Sequence, residues 1–268
     1  MVDAPGKRLS CRPVRTETQA EVVRRIEKAR LEVDGGAIAF DGDGTLWTGD
    51  IGDDFFRAVL DAKRGESAAL DPMRSLARTF GVDSRGSVEV LARALFEAYL
   101  EGRVPEERAC EMMAYSCAGW TRDDVVALAR TVVERALPAR MQKESASVLT
   151  WAKSAGVEVF LVSASPRPVV EEAARTLDLD EAHVVAATPS YERSLMLPSV
   201  ELPIPYGDGK VTRLRERLGQ RPLYAAFGDN VFDVPLLRAA RVPVAVRPKP
   251  QLVSRAHEVD GLVELAKE

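Results

Sequence analysis

The stretch Ala37-Ile38-Ala39-Phe40-Asp41-Gly42-Asp43-Gly44-Thr45-Leu46-Trp47 decides the fold. Four apolar residues in a row suit a strand buried on both faces of a parallel sheet. The run stops at two aspartates, each followed by glycine, a composition that turns the chain. In open parallel sheets, ligands sit beyond the carboxyl ends of the strands. Asp41 and Asp43 therefore stand where chemistry is expected. Upstream, residues 16–32 place Val22, Val23, Ile26, Ala29 and Leu31 at helical spacing. They predict an amphipathic helix, broken by Asp34-Gly35-Gly36.

Downstream, the period alternates. A helix is predicted over 141–155, a buried strand over 157–163, a helix over 168–177 and a strand over 183–187. A proline-rich stretch with hairpin character (189–206) and a helix (210–218) come next. The strand 223–227 ends at Gly228-Asp229, and a helix (233–240), a strand (242–246) and a last helix (250–257) close the pattern. Strands alternating with helices imply an α/β fold, a parallel sheet covered on both faces in three layers. Residues 50–136 instead carry helical spacing throughout. Phe55, Phe56, Val59 and Leu60 recur in this way, as do Leu91, Leu95, Ala98 and Tyr99. Pro105 suits a first helical turn, and Thr121 with Asp124 outlines a capping box. The expected organisation is an α/β core of residues 1–48 and 138–268, interrupted by an all-helical insert at 49–137.

The bulk composition narrows the function classes. The 268 residues are 46% hydrophobic and 29% charged, with a formal net charge of −4. That balance argues against a nucleic-acid partner, which usually meets a basic face. No apolar run is long enough to span a bilayer, and residues 1–14 lack the apolar region of a secretory signal. A cytoplasmic location is the expectation. Cys11, Cys110 and Cys117 are too few for a disulfide framework and are expected to be small buried hydrophobes. With only His183 and His257 there is no Cys/His zinc site, so any metal must take oxygen ligands, as magnesium or calcium does.

The predicted strand ends collect one kind of chemistry. The first carries Asp41 and Asp43, the second Ser163 and Ser165, and a later one Asp229 and Asp233. Carboxylates packed together repel one another, and a hard divalent cation relieves that cost. Lys210 follows the flexible Tyr206-Gly207-Asp208-Gly209 and opens a helix, from which it could reach the same rim. Carboxylates, hydroxyls, a lysine and a cation suit a phosphoryl group, whose transfer needs charge neutralisation and in-line positioning. A calcium loop of the EF-hand kind wants Gly and Glu where Leu46 and Gly52 stand. Taken singly, each of these residues has a plainer reading. Asp41 and Asp43 would be turn residues, Ser163 a strand-end hydroxyl, Lys210 a solvated lysine and Asp233 a helix cap.

In order, these segments resemble the haloacid dehalogenase superfamily in its phosphatase branch. Phe40-Asp41-Gly42-Asp43-Gly44-Thr45 resembles its first motif, Leu161-Val162-Ser163 its second, Lys210 its third, and Gly228-Asp229 through Asp233 its fourth. The resemblance implies a Rossmann-like core with a helical C1-type cap. It also implies a Mg2+-dependent phosphomonoester hydrolase. Asp41 would be the nucleophile that forms an aspartyl-phosphate. Asp43 would be the proton donor and then the base, and Ser163 and Lys210 would hold the phosphoryl oxygens. The metal would be held by Asp41, Asp229 and the Asp43 backbone carbonyl, with Asp233 in support. Gly42 and Gly44 would let the backbone approach the phosphate. Asp43 favours phosphoryl chemistry over dehalogenation, which protonates no alkoxide. A phosphomutase or phosphotransferase, or a non-catalytic phosphate-binding module, stays open.

The insert lies between the first and second motifs, where the family carries a cap that closes over the site. The helical insert and the Lys210 context are similar to the phosphoserine phosphatase subgroup. There an acidic residue nine positions past the nucleophile contacts the substrate amine. That position is Asp50 here, and Ala164-Ser165-Pro166 replaces the subgroup's glycines after the second motif. The expected substrate-binding set is Asp50, Trp47, Gly44, Thr45 and Ala164. Phe55, Phe56 and Trp120 are expected chiefly as cap core, and Asp53 and Asp54 as a solvated helix start. Acidic and aromatic residues together can receive an alkylammonium group. The expected partner is therefore a small phosphorylated metabolite, with phosphoserine or another phosphorylated amine as candidates. Monomer and homodimer both stay open.

Overall fold

The structure, a computed structural model, describes residues 14–267. Cys11 lies outside them. In chain order the elements are β1 (Arg15–Glu17), α1 (Gln19–Glu32), β2 (Ala37–Phe40), α2 (Ile51–Ala62), α3 (Leu70–Thr79), α4 (Val88–Leu100), α5 (Glu106–Ala114) and α6 (Arg122–Ala136). Then follow α7 (Lys143–Ser154), β3 (Glu158–Pro166), α8 (Arg167–Thr176), β4 (Val184–Ala187), β5 (Pro189–Glu192), β6 (Leu195–Val200) and α9 (Asp208–Leu218). Last come β7 (Leu223–Gly228), α10 (Val234–Arg238), β8 (Val242–Val246), α11 (Pro250–Ser254) and β9 (Val263–Leu265).

Seven strands form one parallel sheet in the order β1-β9-β8-β7-β2-β3-β4. The chain winds outward from β2 through β3 to β4, then crosses back to β7 and winds the other way. That reversal beside β2 is the switch point at which open α/β sheets hold ligands. The Ala-Ile-Ala-Phe run of β2 alternates between the two faces. Ile38 and Phe40 join one core with Val22, Ile26 and Phe227. Ala37 and Ala39 join another with Leu214, Leu218, Leu236 and Leu237. Phe40 stacks on Phe227 of the neighbouring strand at 4.2 Å between centroids. Such a pair adds about 0.5–1.5 kcal/mol beyond its buried area, and it locks β2 to β7 one residue before Asp41 and Gly228.

The α/β expectation holds, with corrections at the edges. The helix expected over 16–32 begins at Gln19, because Thr18 caps it: Thr18 Oγ1 accepts from Glu21 N–H and the Glu21 carboxylate accepts from Thr18 N–H. Arg15–Glu17 instead pair with Val263–Leu265, a strand that the sequence reading also lacked. Three-residue strands carry too little periodicity to be seen, and β1 and β9 pair with each other across nearly the whole chain. The helix expected over 233–240 starts as a 3-10 turn at Val231–Asp233. The one expected over 250–257 ends at Ser254 and continues as a 3-10 turn.

Between β2 and β3 the described residues are helical. Phe56, Met73, Leu91, Leu95, Phe96 and Met112 form a hydrophobic cluster of their own. Phe55, Val59, Val125, Ala129 and Val132 instead join the cluster under the sheet. Thr121 Oγ1 accepts from Asp124 N–H at the start of α6, as the capping pattern suggested. The two connections into and out of this segment run side by side. Thr48 N–H donates to Arg140 O and Gln142 N–H to Leu46 O, each at 2.9 Å. The β5–β6 hairpin reaches the same segment: Met196 N–H donates to Trp120 O at 3.0 Å, and Met196 O accepts from Gly119 N–H at 2.8 Å. No described helix is long and apolar enough to cross a membrane.

Candidate active site

The loop after β2 is a tight turn built on one acceptor. Thr45, Leu46 and Trp47 N–H groups all donate to Gly42 O. The turn folds Trp47 back over Gly42, where an added Cβ would lie 2.6 Å from the indole ring. Trp47 is fully buried and donates Nε1–H to Asp43 Oδ1 at 2.7 Å. Ile51 N–H donates to the same oxygen at 2.7 Å. Asp43 Oδ2 accepts from Ser165 Oγ at 2.7 Å and more weakly from Ser163 Oγ at 3.5 Å. The Asp43 carboxylate is thus fixed on one oxygen by the turn and by α2, and on the other meets the end of β3.

Asp41, 6% exposed, lies on the other side of the turn. Lys210 Nζ donates to its Oδ1 at 2.6 Å, and Thr45 Oγ1 donates to its Oδ2 at 3.2 Å. Lys210 also donates to Asp233 Oδ1. Asp233 Oδ2 accepts from the backbone N–H groups of Asp229 (3.0 Å) and Asn230 (2.9 Å). Asp233 therefore spends both oxygens bracing Lys210 and the β7 turn. Asp229 retains more freedom, with Oδ2 paired to Lys249 Nζ at 3.0 Å. A Cβ at Gly44, whose φ is +81°, would fall 2.2 Å from that same Asp229 oxygen.

This arrangement concentrates negative charge. Asp41, Asp229 and Asp233 bring one oxygen each within 4.8 Å of one another. Burial raises the Asp41 pKa well above the usual carboxylate range, against the pull of Lys210 and with Asp233 and Asp229 adding to the rise. Burial and then Asp233 raise Asp229 to about 6, despite Lys249. Burial works against the Lys210 ammonium, but Asp233 and Asp41 outweigh it and push its pKa up, so it stays charged. Three crowded carboxylates against one buried lysine and one half-exposed one suit a hard divalent cation such as Mg2+. Asp41 and Asp229 have oxygens to offer it.

The carboxylates open into a cavity of about 70 Å³ of water-reachable space. Asp41, Asp43, Asp50, Ser163, Ala164, Lys210, Asp229 and Asp233 all line it. Gly44, Thr45 and Trp47 are not among its lining residues. Thr45 is buried against Asp41 and Trp47 lies behind Asp43, while the Gly44 carbonyl accepts from Gln142. A side chain at Gly42 would meet Trp47 and one at Gly44 would meet Asp229. Asp50 is an exposed residue at the cavity wall, with protein packed around its carboxylate. That crowding, with Asp43 and Asp53 nearby, raises its pKa.

Sequence reasoning missed Glu106, Cys110, Tyr206, Asn230, Phe232 and Lys249, which also line the cavity. Cys110 is thus a wall residue, whereas Cys117 is buried as expected. Lys249 sits just past a strand end, the one signal that could have singled it out. Glu106 opens α5 in the helical segment and carries no such mark.

Comparison with known proteins places the chain by family and by fold. A family model described as haloacid dehalogenase-like hydrolase matches residues 38–238. No curated protein matches the chain. Among solved structures, a protein of unknown function from Bordetella pertussis Tohama I superposes with a TM-score of 0.66 at 24% identity, covering 87% of this chain and 99% of its own. A HAD family hydrolase from Salmonella enterica serovar Typhi gives 0.53 at 17%, covering 91% and 76%. A phosphoserine phosphatase solved as a phospho-aspartyl intermediate analogue gives 0.53 at 16%, covering 88% and 96%. At these identities the likeness is one of fold.

Proposed function

Because this chain belongs to the haloacid dehalogenase-like hydrolase family, we propose that it is a Mg2+-dependent phosphatase of small phosphomonoesters that works through an aspartyl-phosphate on Asp41. The observation that carries this reading is the pair Asp41 and Asp43 on opposite sides of one turn. Asp41 is held by Lys210 at 2.6 Å, and Asp43 by Trp47 and Ile51 at 2.7 Å each. The two carboxylates face one cavity with different surroundings, which suits one as nucleophile and the other as proton carrier.

An Asp41 carboxylate oxygen attacks phosphorus; the new O–P bond forms as the ester bond to the leaving oxygen breaks. Asp43, through Oδ2, gives its proton to that oxygen and later takes one from the water that hydrolyses the acyl phosphate. Lys210 and Ser163 hold the phosphoryl oxygens. Asp233 keeps Lys210 in place. Asp41, Asp229 and the Asp43 backbone carbonyl would hold Mg2+, which when bound neutralises charge on the phosphoryl group. Asp50 and Ala164 would face the leaving group. The insert 49–137 would act as the cap that keeps bulk water out. Phosphoserine and other phosphorylated amines are the candidate substrates, and a cytoplasmic location goes with them.

The test is hydrolysis of p-nitrophenyl phosphate with Mg2+. Activity should vanish with EDTA and in Asp41→Asn. An Asn variant as active as the parent would overturn the nucleophile assignment.

A further inference from the structure

The cavity lining falls into two groups of residues. One holds Lys210 and the carboxylates around it. The other is formed by Asp50, Glu106, Cys110, Tyr206 and Phe232. Glu106 makes no side-chain hydrogen bond or ion pair among the described residues, although the cavity wall half-buries it. Asp50 uses Oδ1 to cap α2, accepting from Asp53 N–H at 2.8 Å. The Gly52 backbone N–H supports the same carboxylate, which has no side-chain donor among the described residues. Tyr206 lies against Phe232 with ring centroids 4.3 Å apart, so an aromatic wall stands beside the two acids. Two under-partnered carboxylates next to aromatic rings receive an alkylammonium well: the acids accept its N–H groups and the rings attract its charge.

The cavity also lacks a feature. No arginine or histidine lines it among the described residues. Lys210 is shared between Asp41 and Asp233, and Lys249 is paired with Asp229. A phosphorylated amino acid would bring a carboxylate toward Asp50 and Glu106 with no free cation to meet it. Like charges brought together this way repel and weaken binding. The small cavity likewise favours a short leaving group.

We propose that the leaving-group end selects the phosphomonoester of a short amino alcohol, a primary ammonium without a carboxylate, with Glu106 and Asp50 as its acceptors and Tyr206–Phe232 as its wall. This rests on the phosphatase reading above. It is tested with the full chain and Mg2+ by comparing kcat/KM for O-phosphoethanolamine, O-phosphoserine and glycerol 3-phosphate, with p-nitrophenyl phosphate as a reference. The amino-alcohol ester should exceed both others by about ten-fold or more, equivalent to about 1.4 kcal/mol. Glu106→Gln should shrink the ratio of phosphoethanolamine to glycerol phosphate, and Tyr206→Leu should shrink it independently. If phosphoserine or glycerol phosphate is turned over as well as phosphoethanolamine while the aryl phosphate is hydrolysed, the substrate class is wrong and the phosphatase reading stands. If no ester is hydrolysed, the aryl phosphate included, both fall.

Discussion

Trp47 donates its indole N–H to Asp43 at 2.7 Å from a fully buried position, only four residues along the same turn. The indole thus orients the proposed proton carrier without touching the cavity. Losing a hydrogen bond to a charged group costs about 1.5–3 kcal/mol. Trp47→Phe keeps most of the buried ring and removes the donor. If that cost appears in the barrier, kcat should fall roughly ten- to hundred-fold, with KM nearly unchanged. A variant whose kcat matches the parent's would show that Ile51 and the serines position Asp43 unaided.

Gly44 faces Asp229 across the site. Its φ of +81° disfavours any side chain, and a Cβ would lie 2.2 Å from Asp229 Oδ2. Backbone strain of this kind costs about 1–3 kcal/mol, and at this chain length each kcal/mol lowers Tm by about 2–4 °C. Gly44→Ala should therefore melt several degrees lower. It should also lose much of the stabilisation by Mg2+, because Asp229 must move. An unchanged Mg2+ response would separate Gly44 from the metal site.

The pH dependence has a definite sign. Asp229 has a folded-state pKa of about 6, above its ordinary value of 3.8. The folded protein therefore binds this proton more tightly than the unfolded chain does. The stability it contributes is fully present below about pH 4 and is lost as pH rises through about 6. Without metal, this group makes the protein less stable toward neutral pH. Mg2+ needs the deprotonated carboxylate, so the metal's stabilising effect should grow over the same interval. Melting curves from pH 5 to 8, with EDTA and with Mg2+, should diverge as pH rises. Asp229→Asn should reduce that divergence; curves that stay parallel in the parent protein would contradict the assignment.

Much of this was legible in the residues. The apolar runs ending at Asp41 and Asp229 close β2 and β7, the run ending at Ser163 lies within β3, which continues to Pro166, and Lys210 does reach their rim. Local pattern carried that far because burial on both faces of a parallel strand leaves an unbroken apolar run. It did not reveal that Trp47 points inward, since an aromatic beside such a turn suits pocket wall and packing equally. Nor did it reveal the edge pair β1 and β9, whose partners lie at opposite ends of the chain.

By itself, the sequence determined which chemical groups this protein carries and that they follow strands, because strand burial and turn composition are written over a few consecutive residues. Only the tertiary structure decided which groups meet. The strand order places β3 and β7 on either side of β2, which brings Ser165 to Asp43 and Lys210 to Asp41. It also sets Glu106, Tyr206 and Lys249 around one cavity from far-separated segments. Such meetings depend on long-range pairing and packing, and no local period records them.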